Sequence, residues 1–192
     1  MMADFWKRFS RNRGAVIGLA ILAIVILVAL LAPLIFPQSP WRMVQRPFLP
    51  PFSMDQYPLG TDALGRDVIS GLAYGAQVSL LVGLVSTVAA LLIGIPIGAL
   101  AGYFGGWVDD ALMRFTEFFQ TVPSFALAIV LVAIFQPSIE SIIAAIAIVS
   151  WPPVARLVRG EVLSLRSREY VEAAILSGQT SLTIILRQVL PN

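Results

Sequence analysis

The sequence predicts an all-α membrane protein, a polytopic bundle of about four transmembrane helices with a short helical segment outside the bilayer. Hydrophobic residues make up 58% of the 192 residues and charged residues only 12%, whereas a soluble domain has about 25% charged residues. The mean hydropathy is +0.85. Long uncharged runs occur at the length needed to cross a hydrocarbon core of about 30 Å.

Composition also limits the kinds of chemistry that the chain itself can perform. The chain has no cysteine and no histidine, so disulfides and the commonest zinc and copper ligands are excluded, and no cofactor is expected. Its only lysine is Lys7, and a P-loop needs a lysine after its glycine run. ATP hydrolysis of that type would therefore require a partner. We assign the 13 basic residues, against 11 acidic ones, to membrane topology and not to nucleic acid.

The N-terminal part is predicted to contain the first span. Residues 1–13 hold a cluster of basic side chains and are expected to form a cytoplasmic N-terminus. The uncharged residues 14–36 then form the first transmembrane helix. A signal peptide is the alternative, but its apolar core would be about 7 to 15 residues long. Because this run is longer, we favour a retained span.

Residues 37–76 are predicted to form an external segment with an interfacial helix. Its prolines interrupt regular structure. They are Pro37, Pro40, Pro47, Pro50, Pro51 and Pro58. Within the motif Leu59–Asp67, Thr61 or Asp62 can cap a helix, and Asp62 and Arg66 have the i,i+4 spacing of a modest ion pair. Local physics favours a capped interfacial helix over a ligand site.

Residues 77–192 are predicted to form a core with three more spans. These are about residues 77–102, 118–135 and 139–157. The uncharged run Val68–Val108 is long enough for two spans, so the distribution of basic residues is used to choose between one span and two. With four spans in all, ten basic residues lie inside and three outside, as the positive-inside rule requires. Five spans would place the arginine-rich tail outside, so both termini are expected to be cytoplasmic.

Three glycines in the second span predict helix packing. Gly94, Gly98 and Gly102 repeat every four residues, so they form one ridge that lets a neighbouring backbone approach closely. Glycine is also generally commoner in membrane helices. Ionisable groups are expected at the ends of spans and in loops, without the central acids of proton-relay pumps. This pattern favours a scaffold that a partner moves.

The hydrophilic tail is predicted to form a cytoplasmic helix, a glycine turn and a second helix. Charged and apolar residues alternate through Arg159–Glu172, which is typical of a surface helix. Gly178 lies where a helix end favours a left-handed residue. A second apolar helix is predicted at Leu182–Leu190, ended by Pro191. An amphipathic helix on lipid headgroups is the alternative.

Two motifs resemble those of a known family. The EAA loop of binding-protein-dependent ABC importer permeases resembles Tyr170–Gly178 (YVEAAILSG), followed after ten residues by Val189–Asn192 (VLPN). The second permease subunit of importers for dipeptides, oligopeptides or nickel resembles Leu59–Asp67 (LGTDALGRD) together with Tyr103–Asp109 (YFGGWVD). Gln188 departs from the pattern, since many relatives carry histidine there. The two motifs occur in the order that the family shows.

The resemblance implies a type I ABC importer permease-like fold and a transporter subunit that is not itself an enzyme. It implies a heterodimer with a second permease subunit, two cytoplasmic ATPases and an external solute-binding protein, in a bacterial or archaeal cytoplasmic membrane. Similar permeases continue into two further spans, so we expect an incomplete permease. A non-transport membrane anchor or assembly protein, with a tail that binds lipid or a partner, is the alternative function.

The resemblance also implies roles for particular residues. ATPase coupling is expected at Tyr170, Glu172, Ala173, Ala174, Gly178, Leu190 and Pro191. The external family motif comprises Gly60, Thr61, Asp62, Gly65, Arg66 and Asp67. No catalytic residue is expected, because the spans contain no nucleophile beside a base.

Overall fold

The computed structural model describes the backbone of residues 2–191, with side chains except at residues 2–5 and 8. Regular structure in this range is helical. The helices are α1 (Met2–Arg11), α2 (Arg13–Ile35), α3 (Val68–Phe104), α4 (Gly106–Thr121), α5 (Ser124–Phe135), α6 (Ile139–Arg166), α7 (Glu169–Leu176), α8 (Ser181–Ile184) and a π-helix (Ile185–Val189). The chain divides into two compact units, Met1–Leu81 and Val82–Asn192. The predicted all-α class is confirmed.

Among the described residues, three helices are long and apolar enough to cross a membrane: α2, α3 and α6. Helices α4 and α5 would form a fourth span together, but they are bent by 78° at a short break. By length and composition the chain therefore holds three spans, or four if the bent pair is one span. This agrees with a multi-pass helical membrane protein.

The boundaries of the helices differ from the predicted spans. Residues 118–135 are not one straight helix, because Val122 is extended (ψ 131°) and Pro123 lacks a backbone donor. Helix α3 begins at Val68, so it includes residues that were predicted to lie in the external segment. Helix α6 continues past residue 157 to Arg166, through its internal proline pair.

In the first unit, α2 is capped by Asn12, whose side chain accepts the Ala15 N–H at 3.2 Å. The chain between α2 and α3, residues 36–67, is here called the first connector. After it, the Tyr74 hydroxyl donates to the Phe36 carbonyl at 2.9 Å. This hydrogen bond joins the start of α3 to the end of α2.

In the second unit, α6 is the central helix. Near its middle, Trp151 packs against α4, with Phe115 stacked on it at 5.7 Å and Phe119 meeting it edge-on at 5.2 Å. Nearer its end, α6 and α3 share an apolar cluster with the chain that follows, residues 167–191, here called the second connector. The buried members of this cluster are Ala99, Val162, Val171, Ala174, Ile184, Ile185 and Val189.

Candidate functional site

Helix α7 of the second connector is set apart from α6 by a two-residue turn. Residues Arg159–Glu172 were predicted to form one surface helix, and this prediction is wrong. Residue Arg159 lies in the last turns of α6, and the helix ends at Arg166. Ser167 donates its backbone N–H to Leu165 and Arg168 is extended (ψ 144°), so α7 starts in a new direction.

Two opposite faces of α7 have different surroundings. Val171 and Ala174 are buried, at 0% and 6% exposure, against the ends of α3 and α6. The opposite face is open to solvent, with Leu176 89% exposed. We call this the docking face; it consists of Glu169, Glu172, Ala173 and Leu176, which are all exposed and share one side at i, i+3, i+4 and i+7 spacing.

A glycine turn follows α7. Gly178 has φ +75°, its N–H donates to the Ile175 carbonyl at 3.0 Å, and the next N–H, of Gln179, donates to Ala174 at 3.2 Å. Both bonds satisfy carbonyls that the helix end leaves free. No atom lies within 4 Å of the place where a Cβ would sit, so the requirement for glycine is conformational and not steric.

The second helical segment returns the chain to the apolar cluster. Thr180 caps it by accepting the Thr183 N–H at 3.4 Å. The winding then changes from α-helix to π-helix, and Ile184, Ile185 and Val189 are buried. The predicted helix Leu182–Leu190 is therefore correct in place, but its second half is wound differently.

The residues expected to couple to an ATPase separate into different environments. Glu172 and Ala173 are exposed, and Tyr170 is partly so, whereas Ala174 faces the interior. Leu190 and Pro191 are exposed at the far end of the connector, and Asn192 of the motif lies outside the described residues. Sequence reasoning gave no role to the buried residues Val171, Ile184, Ile185 and Val189, although Val171 and Val189 lie within the two parts of the motif.

The glycine ridge lies against α6. A Cβ on Gly94 would be 2.9 Å from the Trp151 carbonyl oxygen, and one on Gly102 would be 2.8 Å from that of Arg159. At Gly98 the added atom would collide with the Ala155 carbonyl oxygen. Backbone atoms cannot move aside as a flexible side chain can. Helix α3 therefore reaches α6 closely only because these positions lack side chains.

An ion pair that sequence reasoning missed joins α4 to α6. The Arg159 guanidinium donates to both carboxylate oxygens of Asp109, from Nε at 2.5 Å and from Nη2 at 2.6 Å. Asp109 lies within the motif Tyr103–Asp109, but its side chain is 13% exposed and its partner is 50 residues away in sequence. Bidentate geometry of this kind is among the stronger side-chain interactions.

A second arginine of α6 has a neutral partner. Arg156 donates to the side-chain oxygen of Gln120 on α4. Beside these two side chains lies a cavity of about 430 Å³. Its wall includes Val122, Pro123 and Ser124, at the break between α4 and α5. The polar side chains that line this cavity are those of Gln120, Ser124 and Arg156.

The external family motif forms a loop, and the predicted interfacial helix at this place is wrong. Thr61 is buried and does not cap a helix; its hydroxyl accepts the Leu49 N–H at 3.0 Å and donates to the Arg46 carbonyl at 2.7 Å. Asp67 is the residue that caps α3, accepting the N–H groups of Ile69 and Ser70 at 3.2 Å. No helix begins at Thr61 or Asp62, because the Thr61 side chain is bonded within the loop; the first helix after the motif is α3.

Two charged residues of the motif, Asp62 and Arg66, make different interactions. Asp62 accepts the backbone N–H groups of Leu64 and Arg66 at 2.8 and 2.9 Å. The bond from Arg66 lowers the pKa of Asp62 most; desolvation opposes it, and the Leu64 N–H and the Arg66 charge add to it. The Arg66 guanidinium lies over the Trp41 ring, 5.0 Å from its centroid. This stack takes the place of the predicted Asp62–Arg66 ion pair.

Both motif glycines have left-handed backbones, with φ +74° at Gly60 and +73° at Gly65. A Cβ at either position would collide with a carbonyl oxygen, that of Leu49 or Gln45. The loop therefore requires glycine twice. A cavity of about 610 Å³ adjoins the motif near the start of α3, lined in part by Trp41.

Comparison with known proteins agrees with this architecture. Residues 94–192 match the family described as "Binding-protein-dependent transport system inner membrane component". Residues 1–62 match the family described as "N-terminal TM domain of oligopeptide transport permease C". The two matches together cover the second connector, the first connector as far as residue 62, and the helices α1, α2, α4, α5 and α6.

Individual relatives extend over nearly the whole chain. The oligopeptide transport system permease protein OppC of Haemophilus influenzae is 39% identical over 193 residues, 98% of this chain and 61% of the relative. The di/tripeptide transport system permease protein DppC of Pseudomonas aeruginosa is 39% identical over 197 residues, 100% and 65%. The glutathione transport system permease protein GsiD of Pectobacterium atrosepticum is 35% identical over 188 residues, 98% and 62%.

The chain thus spans about three fifths to two thirds of the length of these relatives. Its helical architecture agrees with the family match. The chain belongs to the family of binding-protein-dependent transport system inner membrane components.

Proposed function

We propose that the chain is the transmembrane permease subunit of an ATP-driven ABC importer for peptides delivered by an external solute-binding protein. The observation that carries the proposal is α7, which buries one face against α3 and α6 and leaves the docking face open. Family membership and the names of the relatives, which refer to oligopeptides, di- and tripeptides and glutathione, support a peptide over nickel.

The docking face is proposed to fit a groove on a cytoplasmic ATPase. Two such ATPases and a second permease subunit would complete the transporter, with both termini of this chain on the cytoplasmic side. The buried face of α7 would then transmit the motion of the ATPases to α3 and α6. Such rigid-body coupling needs a packed interface, because packed cores shift between discrete arrangements and do not deform continuously.

Attachment to lipid is the alternative for the same helix. The docking face carries two carboxylates, on Glu169 and Glu172, and no basic side chain. Anionic headgroups attract basic segments and repel acidic ones. The charge of this face therefore favours a protein partner with a basic groove over a lipid surface, and it disfavours an anchor whose tail binds lipid.

The first connector and the cavity beside it are proposed to face the external side, where the solute-binding protein delivers its cargo. The subunit itself performs no covalent chemistry in this proposal. ATP hydrolysis by the ATPases supplies the energy. The permease then alternates between a conformation open to the outside and one open to the cytoplasm.

A charge reversal on the docking face tests the proposal. In the assembled transporter, Glu172→Lys should weaken copurification of the ATPase and reduce uptake of dialanine supplied with the binding protein. Glu161→Lys is the matched control, because Glu161 is also an exposed carboxylate but lies on α6, outside the docking face. Unchanged copurification and uptake in Glu172→Lys, or firmer attachment to anionic vesicles, would contradict the proposal and favour the lipid surface.

A further inference from the structure

The break between α4 and α5, the bent pair that would form a fourth span, leaves backbone donors without acceptors among the described residues. Helix α5 begins at Ser124 without a side-chain cap, and its first helical bond is from Leu127 to Pro123. Among the described residues, the N–H groups of residues 124–126 have no acceptor. Lipid cannot satisfy them, so an irregular backbone at membrane depth is tolerated only inside protein or beside water.

The break is exposed in this chain and opens on the cavity of about 430 Å³. Val122, Pro123 and Ser124 are all exposed. A broken helix whose ends border a polar cavity is typical of substrate paths in transporters. Water, and a substrate that replaces it, would satisfy the free donors.

Arg156 gives the cavity a positive charge. It lies about 25 Å along α6 from Ile139 at 1.5 Å per residue, which is near one end of a hydrocarbon core of about 30 Å. Its described partner is the neutral side chain of Gln120, and no carboxylate lies within ion-pairing distance among the described residues. The contrast is Arg159, one turn further on, whose charge is balanced by Asp109.

We propose that the cavity at the α4–α5 break is part of the translocation path and that Arg156, positioned by Gln120, binds the carboxylate of a peptide in transit. A guanidinium is always charged and recognises a carboxylate through paired donors. A free C-terminal carboxylate is common to the short peptides of the proposed substrate class. The inference rests on the proposed function for the identity of the substrate.

Thiol labelling tests the cavity directly, because the chain contains no cysteine. Ser124→Cys is placed in the assembled transporter with cysteine-free partner subunits, in inside-out vesicles. It should react on the order of tenfold faster with an anionic sulfonate-bearing methanethiosulfonate than with a cationic reagent of similar size, because a local positive charge concentrates anions. Arg156→Gln should abolish this preference, and Arg156→Lys should retain it.

The control position is Ile134→Cys, on the same helix but exposed and apolar, which should react slowly with both reagents. An unreactive Ser124→Cys, or a reaction without charge preference, would overturn the proposed site. So would a preference that persists in Arg156→Gln.

The ligand is tested by protection. Dialanine should slow the labelling of Ser124→Cys several-fold, and dialanine amide, which lacks the carboxylate, should not. Equal protection by both compounds, or by neither, would overturn the assignment of a carboxylate. Uptake of dialanine by the parent transporter is measured in parallel: failed uptake argues against the proposed function, whereas normal uptake with an unlabelled cysteine argues against this site alone.

Discussion

The two connectors are built from different interactions. In the first connector, residues 42–52 and 58–66 are joined by backbone hydrogen bonds, including Val44 to Gly65 at 2.8 Å and Phe52 to Pro58 at 2.8 Å. The second connector instead buries apolar side chains against α3 and α6, with Ile184 at 1% exposure and Val171 at 0%. One segment is held mainly by its own polar groups, and the other by the helices beneath it.

This difference has a mechanical consequence. A loop closed by its own hydrogen bonds keeps its shape independently of the helices that follow. A segment fastened by an apolar cluster on two helices moves with them, or moves them when a partner displaces it. The second connector is therefore the part of the chain suited to coupling, and the first connector is suited to presenting a fixed surface.

The largest expected effect is in the apolar cluster. Ile184→Ala removes buried methyl and methylene groups and should lower the free energy of unfolding by about 2 to 5 kcal/mol. Leu182→Ala, on a 63% exposed neighbour, is the control and should change it much less. Thermal unfolding in detergent measures both variants. Equal losses would show that the cluster does not hold the second connector.

The first connector should be sensitive to a polar change that preserves shape. Thr61→Val deletes the hydroxyl and leaves the Leu49 N–H and the Arg46 carbonyl without their partner, at a cost of about 1 to 3 kcal/mol. In Thr121→Val the lost hydroxyl bond is exposed and made to its own helix, so little change is expected. Hydrogen exchange of the Leu49 amide reports the difference, and unchanged protection in Thr61→Val would contradict it.

Gly178 and Gly160 both have open space at the Cβ position, but their backbone conformations differ. Gly178→Ala should cost about 1 to 2 kcal/mol, because its φ of +75° is disfavoured for any residue with a Cβ. Gly160→Ala, within α6 and with no atom near its Cβ position, should instead stabilise by about 0.5 to 1 kcal/mol. Thermal unfolding of the two variants should shift in opposite directions. A shift of the same sign in both would refute the conformational argument.

The smallest effect concerns pH and the first connector. The pKa of Asp62 is lowered in the folded loop from about 3.9 in an unfolded chain. Its contribution to stability is therefore fully present above the unfolded pKa and is lost as pH falls through the folded pKa. Fluorescence of Trp41 between pH 5 and pH 2 should show loosening of the loop, and Asp62→Asn should remove that part of the pH dependence. An identical titration in both would exclude Asp62 as its source.

The sequence was sufficient for the helical class, the family and the glycine turn, because long apolar runs and a left-handed glycine leave local signals. Gly178 is such a case. Other features depend on contacts distant in sequence. Thr61 has the local signature of a helix cap, but its bonds to Leu49 and Arg46 determine its role. The Arg159–Asp109 pair likewise joins two helices, and no spacing rule indicates it.

The bend at Val122–Pro123 was also missed, although proline was the available signal. Hydropathy averaged across Pro123 is the same for a straight span and for a bent pair. The winding of the second connector into a π-helix has no counterpart in its sequence pattern, since burial of adjacent Ile184 and Ile185 follows from the cluster and not from helical periodicity.

The docking face of α7 is proposed to contact an ATPase, while the opposite face of the helix packs against α3 and α6. A photo-crosslinking residue at Leu176, 89% exposed, tests it in the assembled transporter, with Leu157 on α6, 69% exposed, as the control. We expect crosslinks from position 176 to the ATPase and none from position 157. Crosslinks from position 176 to lipid alone, with no ATPase adduct, would contradict it.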